Sequence, residues 1–263
     1  MNKQPELEQR RCAIVLIGHG SLKSASGAAM IRIAARLREC GVAPIAEASF
    51  LNFNRPTLAE AVERCIAQGA RSIVVQPYFL IAGKYVCEDL PQQVAEQAQR
   101  YPQVGFEVAA AFGDHPALAR LAIERARTAD QHSAGGGPAA LLLLAHGSPM
   151  AEANAPLDRL AERIQARGGY ARVAVSYLEC NEPSIPNAID ALAAEGMRRM
   201  VAVPYFLQLG RHVAEDLPML IAQAQQRHPQ VAFVLAPHLG YDRALLEVVL
   251  DRVVEATALT HAR

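Results

Sequence analysis

The sequence has 263 residues, 51% hydrophobic and 20% charged, which is the composition of a folded protein and excludes a disordered chain. Its 26 basic and 26 acidic residues give a formal net charge of zero, which argues against a nucleic-acid partner. The polar start and the lack of an apolar run of about 18 residues predict a cytoplasmic protein without signal peptide or membrane helix.

The predicted elements alternate between short apolar strands and amphipathic helices. In the first half, strands are predicted at Ala13–Ile17, Ala46–Phe50, Ser72–Gln76 and Gly105–Ala109, with helices at Ala28–Arg38, Thr57–Gln68 and Glu88–Arg100. In the second half, strands are predicted at Ala140–Ala145, Arg172–Tyr177, Arg199–Val203 and Val231–Ala236. Strands that are apolar throughout are typical of parallel sheets covered by helices on both faces. The predicted fold class is therefore α/β, with doubly wound parallel sheets.

The two halves of the sequence are copies of each other. IGHGS at 17–21 returns as LAHGS at 144–148, and PYFLIAGKYVCEDLP at 77–91 returns as PYFLQLGRHVAEDLP at 204–218. Equivalent positions lie 127 residues apart, as His19 and His146 do. This duplication predicts two tandem domains, 1–128 and 139–263, joined by a small, polar, glycine-rich linker at 129–138.

Three repeat positions differ in the side chains that could bind a metal: they hold His19, Asn52 and Tyr85 in the first half and His146, Glu179 and His212 in the second. Each follows a predicted strand, and the carboxyl ends of parallel strands share one sheet edge. Two imidazoles and a carboxylate suit Co²⁺, Ni²⁺, Fe²⁺ or Zn²⁺, and three protein ligands leave coordination positions open. The pattern predicts that His146, Glu179 and His212 form a catalytic metal site.

Among the other histidines, His238 follows the last strand of the second half and is an auxiliary candidate at the same edge. The rest are predicted to be surface residues: His115, His132, His228 and His261. A phosphate-transferring histidine enzyme is an alternative, since it also places His–Gly after a first strand. The arginine that normally precedes its histidine is replaced here by Gly18 and Ala145, which disfavours this alternative.

These motifs resemble those of the class II chelatases of the CbiX/SirB type, which insert cobalt or iron into the tetrapyrrole sirohydrochlorin. The resemblance covers residues 13–254 and rests on HGS after the first strand, PS[IL] after the second and PYFL…G[RK]HV…DLP after the third. It implies a fused duplicate that binds the tetrapyrrole in a cleft between its halves. It also implies that His146 and His212 bind the metal, with Glu179 as the acidic partner. Because Asn52 and Tyr85 replace two ligands in the first half, the working site is expected in the second.

The resemblance implies an ATP-independent enzyme without a nucleotide cofactor, whose divalent metal is a substrate. Co²⁺, for cobalamin biosynthesis, is favoured; Fe²⁺, for sirohaem, is the alternative, and Ni²⁺ is chemically possible. Five side chains are expected to contact the tetrapyrrole: His19, Tyr85, Lys84, Arg211 and His238. A non-catalytic tetrapyrrole or metal carrier is a further alternative. Fusion supplies in one chain what short members obtain by dimerising, so a monomer or weak homodimer is expected.

Overall fold

The structure is a computed structural model that describes residues 12–20, 27–131 and 138–260. The first sheet contains β1 (Cys12–Gly18), β2 (Ile45–Phe50), β3 (Ser72–Pro77) and β4 (Gly105–Val108), in the order β2-β1-β3-β4. The second contains β5 (Ala140–Ala145), β6 (Arg172–Tyr177), β7 (Arg199–Pro204) and β8 (Ala232–Leu235), in the order β6-β5-β7-β8. All paired strands are parallel, which confirms the predicted fold class.

Helices connect the strands in both halves. The first half contains α1 (Ala28–Glu39), α2 (Leu58–Ala67), α3 (Leu90–Arg100) and α4 (Pro116–Asp130). The second contains α5 (Ala151–Ala166), α6 (Ile185–Ala194), α7 (Leu217–Arg227) and α8 (Arg243–Thr260). Five-residue π-helical segments, Tyr85–Asp89 and His212–Asp216, lead into α3 and α7. None of the helices in the described ranges has the length and apolar character needed to cross a membrane.

The central strand of each sheet is buried throughout its length, as its apolar sequence requires. Every residue of CAIVLIG in β1 and of ALLLLA in β5 is buried, so each sheet carries helices on both faces. Capping residues fix where the following helices begin. The Thr57 side chain accepts a hydrogen bond from the Glu60 N–H, and Ser184 accepts one from the Asn187 N–H at the equivalent position.

The last helix of each repeat packs with the sheet of the other repeat. The chain divides into one compact unit of Met1–Gly113 with Arg243–Arg263 and a second of Asp114–Asp242. Helix α4 packs against β7 and α5, whereas α8 packs against β3 and α1. The boundaries predicted at 1–128 and 139–263 therefore follow the sequence duplication, but the packed units differ from them by one exchanged helix each. The two copies have the same order of strands and helices, so the sequence does not indicate which of the two sheets a given helix covers.

Two local predictions near α4 were wrong. The predicted linker includes Ala129 and Asp130, but the helix continues through Asp130, whose carboxylate pairs with Arg199 at 3.4 Å. His115, expected on the surface, is buried, and its Nδ1 accepts a hydrogen bond from the Ala117 N–H as the N-cap of the helix. Residues 132–137 of the predicted linker, which include His132, lie outside the described residues, and so does His261.

Candidate metal centre

The structure brings His146, Glu179 and His212 together at the carboxyl edge of the second sheet. His146 follows β5, Glu179 follows β6, and His212 begins the π-helical segment after β7. One donor atom from each residue lies within 4.8 Å of those of the other two. The two imidazole ring centres are 5.2 Å apart, and Nε2 of His146 is 4.0 Å from Oε2 of Glu179. This spacing is compatible with three donors to one ion after small side-chain rotations.

Two hydrogen bonds join the loops that carry His146 and Glu179. The Glu179 N–H donates to the His146 carbonyl at 3.0 Å, and the Ser148 N–H donates to Oδ1 of Asn181 at 2.8 Å. Gly147 lies between them with φ 94°, and a Cβ there would stand 2.1 Å from the Glu179 carbonyl oxygen. Only glycine allows the loops to approach this closely.

The hydrogen bonds of the two imidazoles leave the same nitrogen available in each. Nδ1 of His146 is 3.2 Å from the Gly147 carbonyl oxygen, and Nδ1 of His212 is 2.7 Å from Oδ2 of Asp216. A carbonyl and a carboxylate both accept hydrogen bonds, so the neutral imidazoles satisfy these contacts with the proton on Nδ1. The lone pair of each Nε2 is then free to bind a metal ion.

Asp216 is the residue of this site that sequence reasoning missed. It lies four residues after His212 in the same π-helical segment, where the Leu217 N–H bonds back to the His212 carbonyl. This turn is wider than an α-helical turn and aligns the two side chains. The four-residue spacing of His212 and Asp216 in HVAED could have indicated that the two side chains meet. Polar residues are also common where a helix begins, so the spacing alone does not identify Asp216 as the partner of the histidine.

The site is partly exposed to solvent. The side chains of His146 and Glu179 are each about half exposed, and His212 is partly buried. Arg211 is well exposed next to them, with its Nε 3.6 Å from Oε2 of Glu215 and 3.8 Å from Oδ1 of Asp216. An exposed ion pair of this kind is weak, so the guanidinium can exchange its partners for the carboxylates of a ligand.

The other predicted contact residues lie outside this cluster. His238, after β8, is not part of the three-residue group found among the described residues. Burial, together with the positive charge of Arg125, lowers the pKa of His238, so its imidazole is neutral near pH 7. In the first half, Lys84 is exposed beside Tyr85, which begins the equivalent π-helical segment.

The first sheet keeps the loop geometry without the ligands. The Asn52 N–H donates to the His19 carbonyl at 3.0 Å, as Glu179 does to His146, and Nδ1 of His19 is 2.9 Å from the Gly20 carbonyl oxygen. Asn52 and Tyr85 stand where the second half has its carboxylate and second imidazole. Within the described residues, the second half alone therefore groups three donors of the His, Cys, Asp or Glu type.

Comparison with known proteins agrees with this duplicated architecture. The family model described as CbiX matches residues 13–129 and again residues 140–256. The chain belongs to the CbiX family. The family predicted from the sequence motifs is thus confirmed, and the two matches coincide with the two repeats.

Two curated relatives match nearly the whole chain. A sirohydrochlorin ferrochelatase of Priestia megaterium is 26% identical over 246 residues, covering 92% of this chain and 89% of the relative. A sirohydrochlorin cobaltochelatase of the same organism is 24% identical over 244 residues, covering 92% of this chain and 79% of the relative. The solved structure of SirB from Bacillus subtilis with Fe³⁺ matches with a TM-score of 0.84 at 22% identity, covering 96% of this chain and 98% of that one. The last similarity shows a shared fold.

Proposed function

We propose that this protein is a chelatase that inserts a divalent metal ion into sirohydrochlorin, with Co²⁺ as its metal and Fe²⁺ as the alternative. The observation that carries the proposal is the group of His146, Glu179 and His212, whose donor atoms lie within 4.8 Å of one another in a CbiX-family chain. The names of the two Priestia megaterium relatives supply the substrate.

The three donors suit a metal that must be delivered to another ligand. Nε2 of His146, Nε2 of His212 and a Glu179 oxygen would hold the ion, with metal–nitrogen distances of about 2.1 Å. Three protein ligands leave coordination positions for the pyrrole nitrogens of the substrate. Imidazole binds Co²⁺ and Fe²⁺ without the very high affinity of a closed thiolate site, which favours transfer over storage.

Metal insertion also requires the removal of protons. As the divalent ion enters the macrocycle, two pyrrole N–H groups each lose a proton. The two deprotonated ring nitrogens then balance the 2+ charge of the metal. Glu179 is half exposed and borders the metal site, so its carboxylate can accept a proton and pass it to water. We assign Glu179 both a ligand role and this general-base role.

The carboxylates of sirohydrochlorin need cationic partners, and Arg211 and Lys84 are the proposed ones. Arg211 is exposed beside His212, and its guanidinium suits two-pronged contact with a carboxylate. Lys84 is exposed beside Tyr85 in the first half. His238, neutral because its pKa is lowered, would offer a hydrogen bond rather than a charge.

The test is the initial rate of metallo-sirohydrochlorin formation, followed by absorbance under anaerobic conditions with Co²⁺, Fe²⁺ and Ni²⁺ separately and in competition. We expect catalysed conversion that is fastest with Co²⁺ and lost in His212→Ala. Faster conversion with Fe²⁺ in competition would reassign the metal. Tight binding of sirohydrochlorin without conversion by any of the three metals would identify a carrier and contradict the proposed function.

A further inference from the structure

A surface pocket of about 500 Å³ lies between helices α4 and α5, which pack against each other in the second compact unit. Its walls come from the last three turns of α4 and from Arg167, the residue that follows the end of α5. Small-molecule sites occupy about 300–1,000 Å³, so the pocket is large enough for a small ligand. None of the residues assigned above to the metal or to the tetrapyrrole lines this pocket.

The pocket lies toward the edge of the second sheet where the strands begin, opposite to the candidate metal centre. Helix α5 follows the carboxyl end of β5 and runs back along the sheet, so Arg167 lies near the start of the strands. Asp130, at the end of α4, pairs with Arg199, the first residue of β7, at 3.4 Å. The six residues of β7 span about 20 Å, and His212 follows their other end. A small ligand in the pocket would therefore not reach the metal donors.

The charged side chains of the pocket are mostly basic. Arg120, Arg127 and Arg167 line it together with a single acidic residue, Glu124. Arg127 reaches from α4 toward the end of α5, since its Nη2 would stand 3.6 Å from a Cβ added at Gly169. In the described part of the chain, no carboxylate pairs with the guanidinium of Arg127 or Arg167. Arginines that line one concave surface attract anions, because the positive potential inside the concave surface is stronger than on an open face.

The duplication supplies a matched comparison for these arginines. Helix α8 packs against α1 as α4 packs against α5, so the repeat contains an equivalent helix pair. The residues 127 positions away from Arg120, Arg127, Thr128 and Arg167 are, in order, Glu247, Val254, Glu255 and Cys40. The equivalent helix pair therefore has acidic and uncharged side chains where this one has its arginines. The packing of the two helices does not require a basic set, which points to a ligand as the reason for it.

We propose that the pocket between α4 and α5 binds a small polyanion, a molecule with two or more linked phosphate or carboxylate groups. A guanidinium forms two parallel hydrogen bonds with either group, so Arg127 and Arg167 can each hold one anionic group from opposite walls. Arg120 adds a third positive charge, and Ile123 gives the pocket an apolar contact for the frame of the ligand. This site is separate from the metal centre, and the proposal does not depend on the chelatase function.

The experiment measures the Kd of the full-length, metal-free protein for inorganic pyrophosphate and for citrate by calorimetry at low salt. Pyrophosphate tests linked phosphates, and citrate tests linked carboxylates. Arg127→Gln and Arg167→Gln are each expected to raise the Kd of the tighter ligand about tenfold, because each removes one charged fork. Arg172→Gln is the matched control: it removes an exposed arginine at the first position of β6, at the same edge of the sheet but outside the pocket.

The outcomes either support the polyanion site or overturn it. A raised Kd in Arg127→Gln and Arg167→Gln with an unchanged Kd in Arg172→Gln supports the site, and the tighter of the two probes then identifies the anionic group. Absence of binding by both probes at millimolar concentration overturns the proposal, and so does binding that survives both substitutions. An equal rise in Arg172→Gln also overturns it, since the anions are then attracted by the general surface charge. Thermal unfolding of each variant shows that the fold is intact.

Discussion

Nδ1 of His212 and Oδ2 of Asp216 are 2.7 Å apart within one π-helical turn, so the carboxylate fixes which imidazole nitrogen faces the metal site. Carboxylates that accept a hydrogen bond from a metal-binding histidine hold the ring in place and make it a stronger donor. Asp216 thus acts through His212, as a positioning residue. Asp89 is its counterpart in the first half, where Tyr85 replaces the histidine.

The first prediction concerns this positioning role. Asp216→Ala is expected to weaken Co²⁺ binding by about 10- to 100-fold, because the imidazole loses its orientation and part of its donor strength. Asp89→Ala is the matched control and is expected to leave Co²⁺ affinity unchanged. The measurement is the Kd for Co²⁺ by calorimetry without sirohydrochlorin, together with the thermal midpoint. Unchanged Co²⁺ affinity in a folded Asp216→Ala protein would contradict the role.

The second prediction is that the working site lies in the second half. His146→Ala and His212→Ala are expected to abolish most metal insertion, since two remaining donors hold the ion poorly. Tyr85→Phe is expected to change the rate little, because the ring is kept. His19→Ala is expected to fall between these, raising KM for sirohydrochlorin more than it lowers kcat. The measurement is the initial rate at saturating metal. A dead His19→Ala with a nearly normal His146→Ala would show that the halves were assigned the wrong way round.

The sequence was sufficient to predict the strands and the proximity of His146, Glu179 and His212. Continuous apolar runs predicted Ala13–Ile17 and Ala140–Ala145, and the structure has β1 at Cys12–Gly18 and β5 at Ala140–Ala145. In a parallel sheet the loops after the strands share one edge, so residues dozens of positions apart were placed together by topology alone. The metal role of these residues remains a proposal.

Features that depend on tertiary packing were not predictable from the sequence. The helix predicted from Glu88 is α-helical only from Leu90, because Tyr85–Asp89 form a π-helical segment, a distinction that apolar spacing does not indicate. The exchange of α4 and α8 depends on which sheet each apolar helix face covers, and both sheets offer similar faces.

The third prediction tests the close approach of two loops at the metal site. Gly147 has φ 94°, and a Cβ there would stand 2.1 Å from the Glu179 carbonyl oxygen, so Gly147→Ala must push this loop away. Gly196 has φ 88° with no atom within 4 Å of an added Cβ, which makes Gly196→Ala a control for backbone strain alone.

Gly196→Ala is expected to lower the free energy of unfolding by about 1–2 kcal/mol without changing Co²⁺ affinity, because it introduces left-handed strain only. Gly147→Ala should cost more stability and also weaken Co²⁺ binding, since Glu179 is displaced. Urea unfolding and calorimetric Co²⁺ titration measure the two effects. Equal losses of stability and equal Co²⁺ affinities in the two variants would show that Gly147 is not needed for the close approach of the loops.

The fourth prediction follows from the exchanged helices. Cleavage at a protease site inserted within 132–137 would divide the chain between the two repeats. Each compact unit would then contain elements from both fragments. Helix α8 packs against β3 and α1, and Nη2 of Arg252 in α8 donates to the Phe112 carbonyl at 2.8 Å. Helix α4 packs against β7 and α5, and Asp130 pairs with Arg199 at 3.4 Å. Separating the fragments would expose the apolar face of each exchanged helix and of the sheet it covers, which is strongly unfavourable.

We therefore expect the cleaved protein to elute from a gel-filtration column as one species and to keep its rate of metal insertion. The uncleaved insertion variant controls for the effect of the added residues. In denaturant the fragments should separate, and on dilution they should reassociate, because each needs the helix that the other carries. Two separately eluting, folded fragments under native conditions would contradict the exchange and would favour repeats that each fold around their own last helix.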